Sequence, residues 1–235
     1  MSGAILSYGL LAGLAIALLY AAFTDIRRRE IDNTLNLGIA LAAPLWWLAM
    51  GMGWQQIGFQ LGLALLTFVI ACVLFALRQM GGGDVKLLTA LALWFTPGAF
   101  LQLVVLMAVI GGGGSIAMAA FNMKRMPGET WRDALAFLAA ATWTLGAAAV
   151  IFALATGRPL VSQAAVRTIS ALIPGAWVVA LVVLAVLALL GLGFHQIMRR
   201  QKSRLPIPYG VAISAAGLWV LAAETRAAIE FSPVS

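Results

Sequence analysis

The sequence predicts an all-α fold: a polytopic transmembrane bundle of about eight helices, with seven the close alternative. Three observations carry that prediction. The chain has 235 residues, 63% of them apolar and only 10% charged, with a mean hydropathy of +1.01. A soluble domain is nearer half apolar and about a quarter charged. The few charges are clustered, and the gaps between clusters are long enough to cross a membrane. The basic residues also fall very unevenly on alternate sides of those gaps.

The uncharged gaps are 1–24, 33–77, 87–123, 134–157, 168–194 and 205–223. A spanning helix needs about 20 apolar residues, since each residue rises about 1.5 Å. The first gap is one helix, retained rather than cleaved. It has no basic residue ahead of it and a basic run after it, the reverse of a signal peptide. The gap 33–77 holds two helices broken near Trp54-Gln55-Gln56, and 87–123 holds two with a turn at Thr96-Pro97-Gly98. The first helix of that second pair, about 87–95, is short. The remaining gaps hold one helix each. The outer loop 157–175 has room for a surface helix, and 1–235 reads as a single membrane domain.

Alternating the helix ends puts twelve basic residues on one side: Arg27, Arg28, Arg29, Arg78, Lys86, Lys124, Arg125, Arg132, Arg199, Arg200, Lys202 and Arg204. Only Arg158, Arg167 and Arg226 fall on the other. By the positive-inside rule the first side is cytoplasmic and both termini are outside. The net charge of +7 then records orientation and contact with membrane lipids, and no nucleic-acid partner is expected. Trp54, Trp94, Trp131 and Trp177 fall near predicted helix ends and read as interfacial anchors. Gly9/Gly13, Gly58/Gly62 and the run Gly111 to Gly114 read as close helix packing. A single cysteine, Cys72, and a single histidine, His195, exclude a disulfide and leave too few ligands for a zinc site. No metal or cofactor is expected.

Of eight acidic residues, two stand out by context. Asp25 follows the first apolar span, in Thr24-Asp25-Ile26-Arg27-Arg28-Arg29. Asp84 sits in Gly81-Gly82-Gly83-Asp84-Val85-Lys86, where the next span begins. Both are expected at the membrane boundary on the cytoplasmic face, where a carboxylate is costly and usually functional. Two carboxylates brought together from different helices share one proton, because like charges at close range cannot both ionise cheaply. The ionised member then activates water while the protonated member polarises a scissile carbonyl. Glycines beside Asp84 let backbone, substrate or another helix come close. The simpler alternative is ion pairing, Asp25 with Arg28 or Arg29 and Asp84 with Lys86 or Arg78.

A third segment, Leu205-Pro206-Ile207-Pro208-Tyr209-Gly210-Val211-Ala212-Ile213, opens the last span on the same side. With it the chain resembles the prepilin peptidases, the A24 family of membrane aspartyl proteases, in their short pilus-assembly (Tad/Cpa) form. Asp25, Arg27, Ile31 and Asn33 match the family's first motif. Gly81, Gly83, Asp84, Lys86 and Leu87 match its Gly-x-Gly-Asp-x-Lys-Leu motif, and Pro208 to Ile213 match the C-terminal segment of the short members. The motif-bearing parts are 20–90 and 205–215, while 122–195 carries none. Asp32 stands where the family usually has proline.

The resemblance implies an endopeptidase that removes the leader of prepilin or pseudopilin precursors. Cleavage would take place at the cytoplasmic face of a bacterial inner membrane. Asp25 and Asp84 would be the dyad. Gly81, Gly82, Gly83, Arg27, Asn33, Pro208, Tyr209 and Gly210 would shape the site, and Lys86 would tune Asp84 or hold an anionic group. The methyltransferase activity of bifunctional relatives is not expected, since their paired Cys-x-x-Cys motifs are missing. The presenilin-type proteases share Gly-x-Gly-Asp, but their Pro-Ala-Leu motif is absent here. Readings from other classes are a small ion-coupled transporter and a noncatalytic pilus or secretion assembly protein. The substrate pilin and the oligomeric state are not encoded in any visible motif.

Overall fold

The computed structural model describes residues 2–124, 128–156, 158–159, 162–164, 167–168, 176–200 and 209–230. Pro208 and most of the 157–175 loop lie outside the described residues. The described residues form eight helices: α1 (Ser2–Arg28), α2 (Asn33–Ala49), α3 (Trp54–Ala76), α4 (Gly82–Ala92), α5 (Pro97–Phe121), α6 (Thr130–Thr156), α7 (Ala176–Arg199) and α8 (Tyr209–Glu230). Six of them are long and apolar enough to cross a membrane; α2 and α4 are not. The fold is a polytopic helical bundle, as the charge gaps predict.

Two expected breaks have identifiable causes. Between α2 and α3 the chain turns at Gly51, whose φ of +63° suits a residue without Cβ. The break thus lies just before Trp54-Gln55-Gln56, which forms the first turn of α3. Gln56 belongs to a cap, its Oε1 accepting the Gly53 N–H at 3.0 Å. At the second break Pro97 opens α5, where its missing N–H has no partner to lose, and the Thr96 hydroxyl accepts the Ala99 N–H at 3.4 Å.

The described chain divides into two compact units, 1–111 with 208–235, and 112–207. In the first, α1 packs on α2 and α8, and α4 packs on α2, α3 and α8. The sequence of α4 explains its inner place. Val85, Leu87, Leu88, Leu91 and Ala92 are all buried, which for a helix of this composition means apolar neighbours on nearly every side. At its junction with α1 and α8, a Cβ on Gly217 would lie 3.1 Å from Leu18 and 3.7 Å from Leu91.

Eleven residues make α4 only about 16 Å long, roughly half the hydrocarbon thickness. Its last carbonyls therefore end at depth, where unsatisfied backbone is expensive. Neighbouring helices supply the donors. Gln60 of α3 gives its amide to the carbonyls of Ala92 and Phe95, and Trp47 of α2 gives its indole N–H to Leu93 at 2.8 Å.

Trp94, expected as an interfacial anchor, is buried at 6% exposure and donates to the Ile39 carbonyl at 2.9 Å. It joins helices because the chain turns inside the bundle there. Trp54, Trp131 and Trp177 are exposed at helix starts, which suits anchoring. At Gly9, Gly13, Gly58 and Gly62 nothing lies within 4 Å of where a Cβ would stand, so among the described residues they pack no helix closely.

In the second unit α6 packs on α7. Gly193 makes that approach possible, since a Cβ there would overlap the Ala139 Cβ. Arg200 closes the end of the pair, bonding Asp133 at 2.8 Å and also Glu129.

Candidate active site

The site forms where three helices of the first unit end or begin. Asp25 lies in the last turn of α1, and α1 closes on Arg29, which adopts φ +57° while its N–H bonds the Asp25 carbonyl at 3.0 Å. Arg78, just past the end of α3, has the same φ of +57°. Non-glycine residues occupy this left-handed region rarely and at some cost. Here both stand at the chain reversals that lead into the site.

Asp25 is 6% exposed and Asp84 is 9% exposed. Asp25 Oδ2 accepts the Val211 N–H at 3.0 Å, in the first turn of α8. Asp84 is the third residue of α4 and its Oδ2 accepts the Gly81 N–H at 3.2 Å, so it caps its own helix. Each carboxylate thus uses a free backbone donor at a helix N-terminus. Burial, and after it the charge of Asp25, raise the Asp84 carboxyl from its ordinary 3.8 to about 6, against the opposing Gly81 hydrogen bond. The two acids, remote in sequence, therefore sense one another electrostatically.

The glycines are occupied by the protein itself. A Cβ at Gly81 would stand 3.0 Å from Asp84 Oδ2, and one at Gly83 would stand 3.2 Å from Ile31 Cβ. Gly82 faces the Phe75 ring. Gly82 and Gly83 are already helical, so α4 begins five residues before the expected 87. The reason is Asp84: a carboxylate at the third position caps a helix and draws the two glycines into its first turn. At Gly210 a Cβ would meet Asp25 Oδ2 at 2.8 Å and Ile31 Cδ1 at 2.7 Å, so the glycine of the C-terminal motif lies flush against the acid.

Other expected site residues stand further out. Lys86 donates to Asn33 Oδ1 at 2.7 Å, tying α4 to the start of α2 rather than pairing with Asp84. Arg27 is exposed, its guanidinium 5.3 Å from the Phe23 ring centre. Tyr209 lies against Gly111, its ring 3.2 Å from where a Cβ would be. Asp32 is exposed and precedes α2 without a side-chain capping bond.

Two contributors carry weaker sequence signals. Asn36 is buried and donates to the Gly83 carbonyl at 3.3 Å, fixing the first turn of α4 ahead of Asp84. Its clue is an amide inside an otherwise apolar run. Val211 acts through its backbone N–H, which no side-chain pattern reveals. No group of three or more histidine, cysteine or acidic residues is placed to hold a metal among the described residues.

Residues 12–116 match the type IV leader peptidase family. The chain is also similar to prepilin peptidase EppA of Methanocaldococcus jannaschii, 31% identical over 134 residues, a match covering 56% of this chain and 37% of that protein. The chain thus spans little more than a third of that relative's length. No solved structure matches. The family match contains both aspartates, the Gly81–Gly83 run, Ile31 and Asn36, and it stops before α8. Through residues 12–116, then, the chain is similar to the type IV leader peptidase family.

Proposed function

We propose that the protein is an aspartic endopeptidase that removes the leader peptide of prepilin-like precursors at the cytoplasmic face of a bacterial inner membrane. The observation that carries this reading is the pair itself. Asp25 and Asp84 come from separate helices and are both buried, and burial, with the charge of Asp25 adding to it, raises the Asp84 carboxyl to about 6. The relative's name, prepilin peptidase, supports the substrate class, and the basic asymmetry supports the face.

The environments divide the roles. Asp25, held by the Val211 amide, is the ionised member and takes a proton from water. The oxygen of that water attacks the scissile carbonyl carbon. Asp84 gives its proton to the carbonyl oxygen, and the resulting tetrahedral diol collapses with protonation of the departing amine. The C–N bond breaks, a carboxyl forms, and one proton again resides on the pair. A buried dyad favours this exchange, because charge moving between two carboxyls is stabilised most where water is excluded.

The test is pilin processing in membranes by Asp25→Asn and Asp84→Asn. Each should lower cleavage by about 10³-fold or more with insertion intact. Near wild-type processing by either variant would refute the dyad.

A further inference from the structure

At the opposite end of the first unit lies a cavity of about 710 Å³ that the proposed reaction does not use. Tyr8 lines it, 17 residues before Asp25 on the same helix, which is about 26 Å along the axis. Its volume falls within the range of small-molecule sites. Trp46, Trp94, Gln56, Thr96 and Glu224 also line it.

The chemistry of that lining is specific. Glu224 is the only acid among the lining residues, and they include no lysine, arginine or histidine. The Thr96 hydroxyl shares the lining with its carboxylate. In the same lining the Trp46 and Trp94 rings stack, centroids 6.0 Å apart and planes inclined by 23°. Trp94 is pinned by its bond to the Ile39 carbonyl, so Trp46, the more exposed of the two, rests on a fixed ring. Methionines and leucines make up much of the remaining wall, and Ser7, Gln56, Gln60 and Thr225 add uncharged polar groups. One carboxylate and a stacked indole pair in a single cavity, with no competing cation in the lining, favour a cation that also carries apolar surface. An inorganic ion would gain nothing from such walls, and an anion would be repelled.

We propose that this cavity binds an organic ammonium group, its charge held by Glu224 and its carbon surface by the Trp46 indole. The same group occurs on aminolipid headgroups and on soluble amines. The proposal does not depend on the peptidase reading.

The experiment titrates the full chain in phosphatidylglycerol nanodiscs with choline, following tryptophan fluorescence. The uncharged isostere 3,3-dimethylbutan-1-ol serves as control. Saturable choline binding is expected, about tenfold or more weaker for the isostere and for Glu224→Gln. Glu224→Asp, which keeps the charge, should retain part of the affinity, and Trp46→Leu should abolish the optical change. Helical circular dichroism and the melting temperature of each variant report an intact fold. Equal affinity for choline and its isostere, or unchanged affinity in a folded Glu224→Gln protein, overturns the proposal. Repeating the titration in phosphatidylethanolamine nanodiscs separates the sources. A weaker apparent choline affinity there identifies a lipid headgroup as the natural occupant, and an unchanged one identifies a soluble amine.

Discussion

Gly210→Ala is the sharpest test of how the site is held together. The added Cβ would stand 2.8 Å from Asp25 Oδ2, 3.0 Å from Asp25 Cγ and 2.7 Å from Ile31 Cδ1. Ordinary carbon contacts begin about 3.5 Å apart, so something must move by about 0.7–0.8 Å. Ile31 Cδ1 is the end of a flexible side chain and can give way. The carboxylate has less room, because the next residue of α8 holds the same oxygen through its N–H at 3.0 Å. Overpacking of this kind costs about 1–3 kcal/mol of stability. A nucleophile-activating group displaced by about half an ångström or more loses about tenfold to a hundredfold in rate, or about 1.4–2.7 kcal/mol of barrier. The assay is cleavage of a prepilin peptide in nanodiscs with kcat and KM separated. The loss is expected in kcat, since the distortion falls on the dyad. Gly9→Ala is the control, because nothing lies within 4 Å of a Cβ there. Full kcat in a folded Gly210→Ala enzyme would refute the placement of α8 against Asp25.

Three further predictions follow from the same geometry. Asp84, raised to about 6 mainly by burial, keeps its proton below that pH and loses it above. The alkaline limb of the cleavage profile should therefore fall near pH 6. The raised value also means that folded-state stability declines as pH climbs from about 4 to 6, so Asp84→Asn should melt no lower than wild type at pH 7 while being inactive. A melting curve showing marked destabilisation would contradict the burial of a charge there. Asp32 has φ −60° and ψ 136°, a conformation proline adopts, and it is exposed without a capping bond. Asp32→Pro should leave rate and pH profile within about twofold, and an acidward shift of the alkaline limb would show instead that Asp32 acts on the dyad. Gln60→Leu leaves two carbonyls at the end of α4 without their donor, costing about 2 kcal/mol or more. This should lower the melting temperature by several degrees, and an unchanged melt would mean that water replaces the amide.

The helix layout was legible because hydrocarbon tolerates so little charge. Each cluster of Arg, Lys, Asp or Glu marked a place where the chain reaches an end, and the gaps between gave the helices. What composition could not convey was depth. Trp94 looks like any tryptophan near a helix end, yet it lies inside the bundle because α4 is too short to reach the far interface. The small-residue pairs Gly9/Gly13 and Gly58/Gly62 carry the spacing of packed helices but face no neighbour among the described residues. Spacing records only what a face permits, whereas Gly193, which no pair marks, is the glycine on which α6 and α7 close.

The same limit appears at the site. Asp25 and Asp84 were legible as isolated carboxylates at span boundaries, and the glycines as a place of close approach. Which group makes the approach was not, since a glycine run reads alike whether substrate or protein fills it. Here Asp84, Ile31 and Phe75 fill it. Lys86, adjacent in sequence to the acid loop, turns to Asn33, because a helical side chain two positions from Asp84 points to a different face.

Both ends of α4 follow from one physical circumstance. A helix of eleven residues cannot place both termini in water, so the polar groups it exposes at each end must find partners within the fold. At its start the N–H of Gly81 donates to the Asp84 carboxylate. The start of α8 does the same for Asp25 through Val211. Helix N-termini thus stabilise two carboxylates in a setting that would otherwise expel them. At the other end of α4 the exposed carbonyls call for donors, which Gln60 and Trp47 provide, and the irregular chain from Leu93 to Thr96 borders the cavity that holds Glu224. A full-length spanning helix in place of α4 would have hydrogen-bonded those carbonyls to itself and left no recess beside Trp94. Its first N–H groups would still be free, as they are at the start of the long helix α8. The shortness of α4 therefore accounts for the recess, and the helix starts account for the capped acids.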